Sequence, residues 1–148
     1  MSDTTTLEDA VPAIDLDAPV DTVARPATTL AESAPLPEAW ARLHQDQDHV
    51  GVVVRDGRPL AVVTAGALAE RWPAGGPLVQ HRWTVHDVLD RPCGVDVLAA
   101  DDSLRHAGHR LLGTGLPALP VRARHGALLR VVTTTGLLAA LLSGGPRA

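Results

Sequence analysis

The feature that most constrains this chain is an internal repeat. Residues 119–138 repeat the pattern of residues 50–68 at an offset of 69. The aligned positions share residue types: Val52 with Val121, Gly57 with Gly126, Leu60 with Leu129, Val62–Val63–Thr64 with Val131–Val132–Thr133. A period in the high sixties that occurs twice predicts two copies of one supersecondary unit.

The hairpin of the first copy can be predicted residue by residue. Val52–Val54 is a β-branched run typical of a strand, and Leu60–Val63 predicts the returning strand. Asp56-Gly57 between them favours a two-residue turn, because Gly tolerates the positive φ that such turns need. Thr64 stands where a helix would begin and is a candidate N-cap. Each copy therefore predicts strand, turn, strand and helix.

A short strand and an amphipathic helix precede the hairpin in each copy, which gives the order β-α-β-β-α. In the first copy we expect a strand over Ala27–Leu30 and a helix capped by Ser33, with Leu36, Trp40 and Leu43 on one face. The second copy predicts a strand over Val95–Leu98 and a helix capped by Asp101 or Asp102, with its apolar face formed by Leu104, Ala107, Leu111 and Leu112. Units this small bury their sheets and helices against each other.

The repeat extends upstream of these elements, and the Pro/Gly-rich run Trp72–Pro77 separates the copies. At an offset of 66, Val20–Pro26 is aligned with His86–Pro92, with Asp and Arg-Pro in step. The predicted organisation is an acidic tail over 1–17, a first unit over 18–71, a linker over 72–84, a second unit over 85–143 and a C-terminal tail over 144–148.

Composition narrows the functional class. The net charge is −4, and the first 24 residues carry six acids and no basic residue, whereas the arginines further on are dispersed. Nucleic-acid binding usually requires a clustered basic face, so this pattern argues against it. The single Cys93 excludes an intramolecular disulfide and fits a reducing cytosol. The acidic N-terminus does not match a signal peptide, and the apolar run Gly136–Leu142 is far shorter than the ~20 residues of a membrane span.

Four short motifs follow one another along the chain, and two of them occur in both copies. They are the starts Asp21–Pro26 and Asp87–Pro92, the helix start Pro35-Leu36-Pro37-Glu38-Ala39, the run Gly115-Leu116-Pro117-Ala118-Leu119-Pro120-Val121, and the two Val-Val-Thr segments. Over residues 18–143 the chain resembles a tandem pair of CBS domains, also called a Bateman module. The resemblance implies an α/β fold of two β-α-β-β-α units related by a pseudo-twofold axis, with sheets packed face to face and two clefts between the units.

The resemblance also implies a ligand class. In that family the clefts often bind adenosine-containing ligands such as AMP, ATP or S-adenosylmethionine, with adenine among apolar strand residues and the Thr at the helix start facing phosphate. Arg130, directly before the second Val-Val-Thr, is a candidate phosphate partner. The implied ligand-binding residues are Thr29, Val53, Thr64 and Ala67 in the first copy and Val97, Arg130, Thr133 and Gly136 in the second.

The sequence departs from the family at one position of each copy. The carboxylate that holds the ribose, three residues after the Thr, is replaced by Ala67 and by Gly136. A hydrogen bond to a charged group contributes about 1.5–3 kcal/mol, so its loss predicts nucleotide binding about ten- to a hundredfold weaker. Which cleft binds stays open at this point, and residues such as Thr64 and Thr133 are more often plain helix caps than ligand contacts.

The sequence predicts a protein that is not an enzyme, with no resident cofactor. It contains no Gly-rich phosphate loop, no nucleophile elbow and no paired His/carboxylate motif, and His106 with His109 gives two metal ligands without a third. One hypothesis is a regulatory sensor of an adenosine-type ligand that signals to an effector protein. The alternative is an assembly module with degenerate clefts, which works by dimerising or by docking. The apolar stripe Leu137, Leu138, Leu141 and Leu142 favours helix–helix burial, either between the two copies or between two chains, and we expect a homodimer.

Overall fold

The computed structural model describes residues 15–74, 82–89, 95–122 and 129–143. The strands are β1 (Arg25–Pro26), β2 (Thr29–Ala31), β3 (Val50–Arg55), β4 (Arg58–Thr64), β5 (Leu98–Ala99), β6 (Ala118–Arg122) and β7 (Arg130–Thr133). The helices are α1 (Leu36–Gln45), α2 (Ala65–Glu70), α3 (Val85–Val88), α4 (Leu104–Thr114) and α5 (Thr134–Leu142), and a 3-10 turn spans Val20–Thr22. The two β-α-β-β-α units of the predicted α/β fold are confirmed.

The strands form two small sheets. The first has the order β2-β3-β4, and the second has the order β1-β7-β6-β5. In both sheets the short strand of the unit runs parallel to the first hairpin strand, and the hairpin strands are antiparallel. The strand β1 precedes the first unit in sequence but pairs with β7 of the second. The two sheets are therefore built alike, and the second gains one strand.

The hairpin between β3 and β4 has the predicted turn. Asp56 and Gly57 both have positive φ angles, of 50° and 77°. Two residues in this region form the turn whose twist matches that of the flanking strands, and Gly adopts it without the steric cost of a Cβ. The corresponding turn predicted around Gly126 lies outside the described residues.

The strand register corrects one of our alignments. Val50 and Val52 in β3 face the other unit, whereas Val53 faces the core of its own unit. In β6, Ala118 faces the other unit and Val121 its own core. Val121 therefore corresponds to Val53 at an offset of 68, and the alignment with Val52 was wrong by one residue, which would place the side chain on the opposite face. For β4 and β7 the offset of 69 is confirmed, since Thr64 and Thr133 pair with Val50 and Ala118.

The units exchange short segments. Val20, which precedes the first strand of the first β-α-β-β-α unit, is fully buried in the core of the second unit with Leu104 and Leu119. Val85, which follows the first unit, is fully buried in the core of the first with Leu36 and Leu43. The two valines lie in corresponding places at an offset of 65, so the alignment of Val20 with His86 was also wrong by one residue. The division into 18–71 and 85–143 stays a prediction. The cores do not follow this division, because each contains a segment from the other side of it.

Matched hydrogen bonds fix the two exchanged segments in the same way. The amide of Val85 donates to the carbonyl of Ala34, and the amide of Val20 donates to that of Asp102. Two further pairs follow the same offsets: Leu36 N to Trp83 O with Leu104 N to Ala18 O, and His86 N to Glu32 O with Asp21 N to Ala100 O. Equal contacts at equal offsets are the geometry expected of two copies of one unit.

A third apolar cluster joins the two sheets. It contains Val50, Val52, Ala118 and Val131 as buried members, with Val62 packed against them. Val50 and Ala118 are equivalent at an offset of 68, and Val62 and Val131 at 69. Residues near a pseudo-twofold axis meet their own equivalents, so this cluster marks the seam at which the two sheets face each other.

Helix starts differ in part from the predictions. The helix α1 begins after Pro35, and its cap is not Ser33. The helix α4 is capped by Ser103, whose hydroxyl accepts from the amide of His106 at 3.0 Å, while the carboxylate of Asp102 accepts from the amide of Ala99. Three of the four residues predicted for its apolar face are buried; the fourth, Leu112, is 84% exposed. Cys93 and the predicted C-terminal tail lie outside the described residues.

Candidate functional site

The two Thr residues at the ends of β4 and β7 have the same role in both units. The hydroxyl of Thr64 accepts a hydrogen bond from the amide of Ala67 at 3.0 Å, and that of Thr133 accepts from the amide of Gly136 at 2.8 Å. Both predicted N-caps are confirmed. Each of these hydroxyls therefore satisfies an amide of its own helix, and Thr133 is buried.

A small cleft lies beside the first of these caps. Its volume is about 190 Å³, and its walls come from β4, from α2 and from the end of the exchanged helix α3. The lining residues are Ala61, Val62, Val63, Ala67, Leu68, Arg71, Val88 and Leu89. A pocket for a drug-sized ligand usually measures about 300–1,000 Å³, so the described part of the cleft suits one ring system rather than a whole nucleotide.

Arg71 is the charged residue in this lining, and the sequence analysis missed it. It follows α2 directly, and its Nη1 donates to the carbonyl of Val88 at 3.4 Å. The spacing carried a signal, because Arg71 is four residues after Ala67 and so lies on the same face of the helix. The guanidinium thus joins the first unit to the segment that follows it, at the wall of the cleft.

The second unit also has an arginine at the corresponding cleft, but this arginine lies on the strand and not after the helix. Arg130 in β7 is equivalent to Ala61, which lines the first cleft. Its Nη1 lies 2.5 Å from the carboxylate of Asp21, and its guanidinium also donates to the carbonyls of Asp21 and Ala24. The predicted phosphate partner therefore already binds the exchanged N-terminal segment.

The remaining predicted site residues lie at three separate places. Thr29 is half-buried in β2, beside Val52 of β3. Val53 is fully buried among the helices of the first core, and Val97 is half-buried directly before β5. The structure thus brings Thr64 together with Ala67, and Thr133 with Gly136, and only Ala67 of the predicted residues lines the first cleft.

A buried ionic cluster ties the two units together, and no sequence pattern predicted it. Arg25, on the strand that joins the second sheet, donates from both terminal nitrogens to Asp46 at 2.8 Å and from Nη2 to Asp48 at 3.0 Å. Asp46 also accepts from the hydroxyl of Thr28 and from the amides of Asp48 and Val50. Burial alone would raise the pKa of Asp46, but the hydrogen bonds from Arg25 and the other donors outweigh it and lower the pKa to about 2.

Metal ligation finds no support in the part of the chain that the structure describes. Within those residues there is no group of three or more His, Cys, Asp or Glu side chains that could hold an ion. His106 and His109 lie on α4, and His109 lines a groove between α4 and α5. None of the helices in the described ranges is long and apolar enough to cross a membrane.

The fold and the paired caps define the class of this protein as a tandem α/β repeat with an exchanged segment in each half. Residues 20–73 match the family model for the CBS domain. The chain therefore contains a CBS domain, and its two units together have the fold of a CBS domain pair, as the resemblance implied. A search of curated proteins found no match.

Solved structures share this fold at low sequence identity. A CBS domain-containing protein of unknown function from Kribbella flavida has a TM-score of 0.68 at 16% identity, over 84% of this chain and 99% of that one. A CBS domain-containing protein from Thermotoga maritima has a TM-score of 0.64 at 16% identity, over 90% and 100%. The CBS domain pair of protein MJ0100, in complex with 5′-methylthioadenosine and S-adenosyl-L-methionine, has a TM-score of 0.65 at 18% identity, over 84% and 99%.

Proposed function

We propose that this chain is a non-catalytic regulatory module of the cytosol that binds an adenosine-type ligand in the first cleft and signals to a partner protein. The observation that carries the proposal is the composition of that cleft. Its walls combine β4 and α2 of the first unit with Val88 and Leu89 from the segment that leads to the second. A ligand held there would fasten the exchanged segment, which leads to the second unit, onto the first unit, which gives binding a structural output.

The chemistry of the lining favours a ligand that consists of a nucleobase with a polar substituent. Ala61, Val62 and Leu68 offer an apolar surface of the size of a purine ring, and Arg71 offers a charged group at its edge. Ala67 replaces the ribose carboxylate, so the ligand keeps its ring contacts but has one strong hydrogen bond fewer. The complex of the MJ0100 pair with 5′-methylthioadenosine and S-adenosyl-L-methionine supports adenosine derivatives as the class to test.

A thermal shift series tests the proposal directly. The chain would be titrated with AMP, ADP, ATP, S-adenosylmethionine and 5′-methylthioadenosine to millimolar concentration. A ligand at 100 times its dissociation constant stabilises a protein by about 2.7 kcal/mol, so even a weak ligand raises the melting temperature measurably. If none of the five compounds raises it, the proposal is wrong for adenosine ligands.

A matched pair of variants locates the site. Ala67→Asp restores the carboxylate at the first cleft, and Gly136→Asp restores it at the corresponding place of the second. We expect calorimetric titration to show about tenfold tighter binding for Ala67→Asp, as one added charged hydrogen bond predicts. Gly136→Asp should leave the affinity unchanged, because Arg130 already binds Asp21 there. The reverse result would move the site to the second cleft.

The alternative function, an assembly module, has its own support. Leu138, Leu141 and Leu142 on α5 are 52%, 39% and 88% exposed. An exposed apolar helix face of this kind is typical of a contact between chains. If the chain works by dimerising, sedimentation equilibrium should give a dimer that Leu138→Ser with Leu142→Ser converts to a monomer, and no adenosine compound should bind.

A further inference from the structure

The walls of the first cleft have equivalents in the second unit, all within the described ranges. The elements β4 and α2 correspond to β7 and α5 at an offset of 69, and the exchanged helix α3 corresponds to the segment around Val20 at an offset of 65. Three wall positions carry smaller side chains in the second unit: Gly136 for Ala67, Ala140 for Arg71 and Ala24 for Leu89. At these positions the second unit leaves more room than the first.

One wall position carries a much larger side chain instead. Arg130 in β7 stands where the first unit has Ala61. Its guanidinium donates to the carbonyl of Ala24, which belongs to the exchanged segment. The equivalents of these two residues, Ala61 and Leu89, both line the first cleft. The side chain of Arg130 therefore crosses the space that corresponds to that cleft, from the strand to the exchanged segment.

A half-buried ion pair holds the side chain across this space. The Nη1 atom of Arg130 lies 2.5 Å from Oδ1 of Asp21, and it also donates to the carbonyl of Asp21 at 3.3 Å. At the position of Asp21 the first half has His86, which pairs with Glu32 instead. Both members of the contact thus belong to the second half, and both are replaced in the first.

We infer that Arg130 takes the place of a ligand in the second half, where its side chain fills a cleft equivalent to the first. It fastens the exchanged N-terminal segment as a ligand in the first cleft would fasten α3. The comparison with a ligand rests on the proposed function, whereas the filled cleft rests on the contacts of Arg130. The second half is then fastened permanently, and the first only when ligand is bound.

Shortening the side chain of Arg130 tests the inference without any adenosine compound. Arg130→Ala removes both the ion pair and the side chain, whereas Arg130→Met removes the ion pair but keeps a long side chain. Methyl signals of Val23, Val131 and Val132 are recorded under xenon pressure, because empty apolar cavities in proteins bind xenon. We expect xenon-dependent shifts of these signals in Arg130→Ala, and none in Arg130→Met or in the natural chain.

Calorimetric titration with 5′-methylthioadenosine tests the comparison with a ligand. This compound is neutral and suits the apolar walls that Arg130→Ala leaves in the second unit. We expect one bound molecule per chain for the natural protein and for Arg130→Met, and two for Arg130→Ala. If the natural chain binds none, the proposed function is wrong for this compound, and the xenon shifts still decide whether Arg130 fills a cleft.

Two results would overturn the inference. A folded Arg130→Ala chain without xenon shifts would show that other residues, such as those of β1, close the space. Equal shifts in Arg130→Ala and Arg130→Met would show that the ion pair, and not the volume of the side chain, keeps it closed. If Arg130→Ala does not fold, Arg130→Val replaces it, because a β-branched residue suits a strand and is still much shorter than arginine.

Discussion

Each half of the molecule holds the segment it receives from the other half with one arginine, but the two arginines come from different elements. Arg71 follows the helix α2 and donates to the carbonyl of Val88. Arg130 comes from the strand β7 and donates to the carbonyl of Ala24 and to the carboxylate of Asp21. In both halves the guanidinium thus binds a carbonyl near the end of an exchanged segment. The position of the arginine in the repeat differs.

This difference supports our proposal that the ligand binds in the first half. In the first half the strand position that faces the exchanged segment is the small Ala61, so a cleft remains. In the second half the same position carries Arg130, and its side chain extends to the exchanged segment. Within the described residues, the small Ala61 thus lines the candidate cleft of the first half, whereas the large Arg130 at the equivalent position contacts the exchanged segment of the second half.

The ends of the first long helix in each half differ as well. The residue that follows α1 is Asp46, which is buried and bound to Arg25, whereas the residue that follows α4 is Gly115 in the left-handed region, with φ 69°. The first half uses an ionic cluster where the second uses a glycine. The following predictions test this difference between the two halves and the equivalence of their exchanged segments, beginning with the largest effect.

Asp46→Ala should destabilise the protein by about 3 kcal/mol. The change leaves the partly buried guanidinium of Arg25 without its main partner, and breaking a buried ion pair typically costs several kcal/mol. Urea unfolding followed by circular dichroism measures the loss. Asp101→Ala removes an exposed acid just before α4, is the control and should change the stability little. Equal losses for the two variants would show that the cluster contributes nothing specific.

Val20→Ala and Val85→Ala should each cost about 2 kcal/mol. Both side chains are fully buried in the core of the unit that receives them, and each change removes two methyl groups from a packed site. Urea unfolding of the two variants compares the exchanged segments directly. If Val20→Ala costs much less than Val85→Ala, the exchange is one-sided and the N-terminal segment is only loosely held.

Acid should remove the contribution of the ionic cluster. Because the pKa of Asp46 is lowered to about 2 from 3.8, its charged form stabilises the fold at a pH above about 4, and that contribution falls as the pH drops through 2. The shift corresponds to about 2 kcal/mol. Stability measured from pH 6 to pH 2 should fall less steeply in Asp46→Asn than in the natural chain. Parallel curves would contradict the lowered pKa.

Gly115→Ala should cost about 1 kcal/mol, while Gly113→Ala should stabilise the protein slightly. A Cβ at either position meets no atom within 4 Å, so sterics with neighbours do not distinguish them. Gly115 has a positive φ that disfavours an L residue, whereas Gly113 lies inside the helix, where Ala is preferred. Thermal unfolding measures both changes. Equal effects would mean that the helix ends elsewhere in solution.

The sequence predicted those parts of the fold that depend on local chemistry. The Asp56-Gly57 turn, the caps Thr64 and Thr133 and the order of the elements follow from backbone preferences within a few residues, and the structure confirms them. The one-residue errors in register arose because apolar β-branched runs such as Val52–Val54 align equally well in two frames. Only the face on which a side chain is buried decides between them.

The candidate site was less accessible to sequence reasoning. Its wall depends on the exchanged helix α3, whose Val88 lies 21 residues after Ala67 and packs back on the first unit. The salt bridge from Arg130 to Asp21 joins residues 109 positions apart. Contacts of this range depend on topology and leave no periodic pattern in the sequence, so Arg130 was assigned to a ligand instead. The spacing of Ala67 and Arg71 indicates a shared helix face, but it does not show that Arg71 contacts Val88.

The exchange of segments also sets the order in which the chain can fold on the ribosome. Residues around Val20 emerge early, yet they find their place only when Leu104 and Leu119 have been synthesised. The first half must likewise wait for Val85 before its own core closes. Domains usually fold as units during synthesis, the N-terminal one first. Here the first half completes its core only after translation has passed beyond the linker, and the segment around Val20 docks later still.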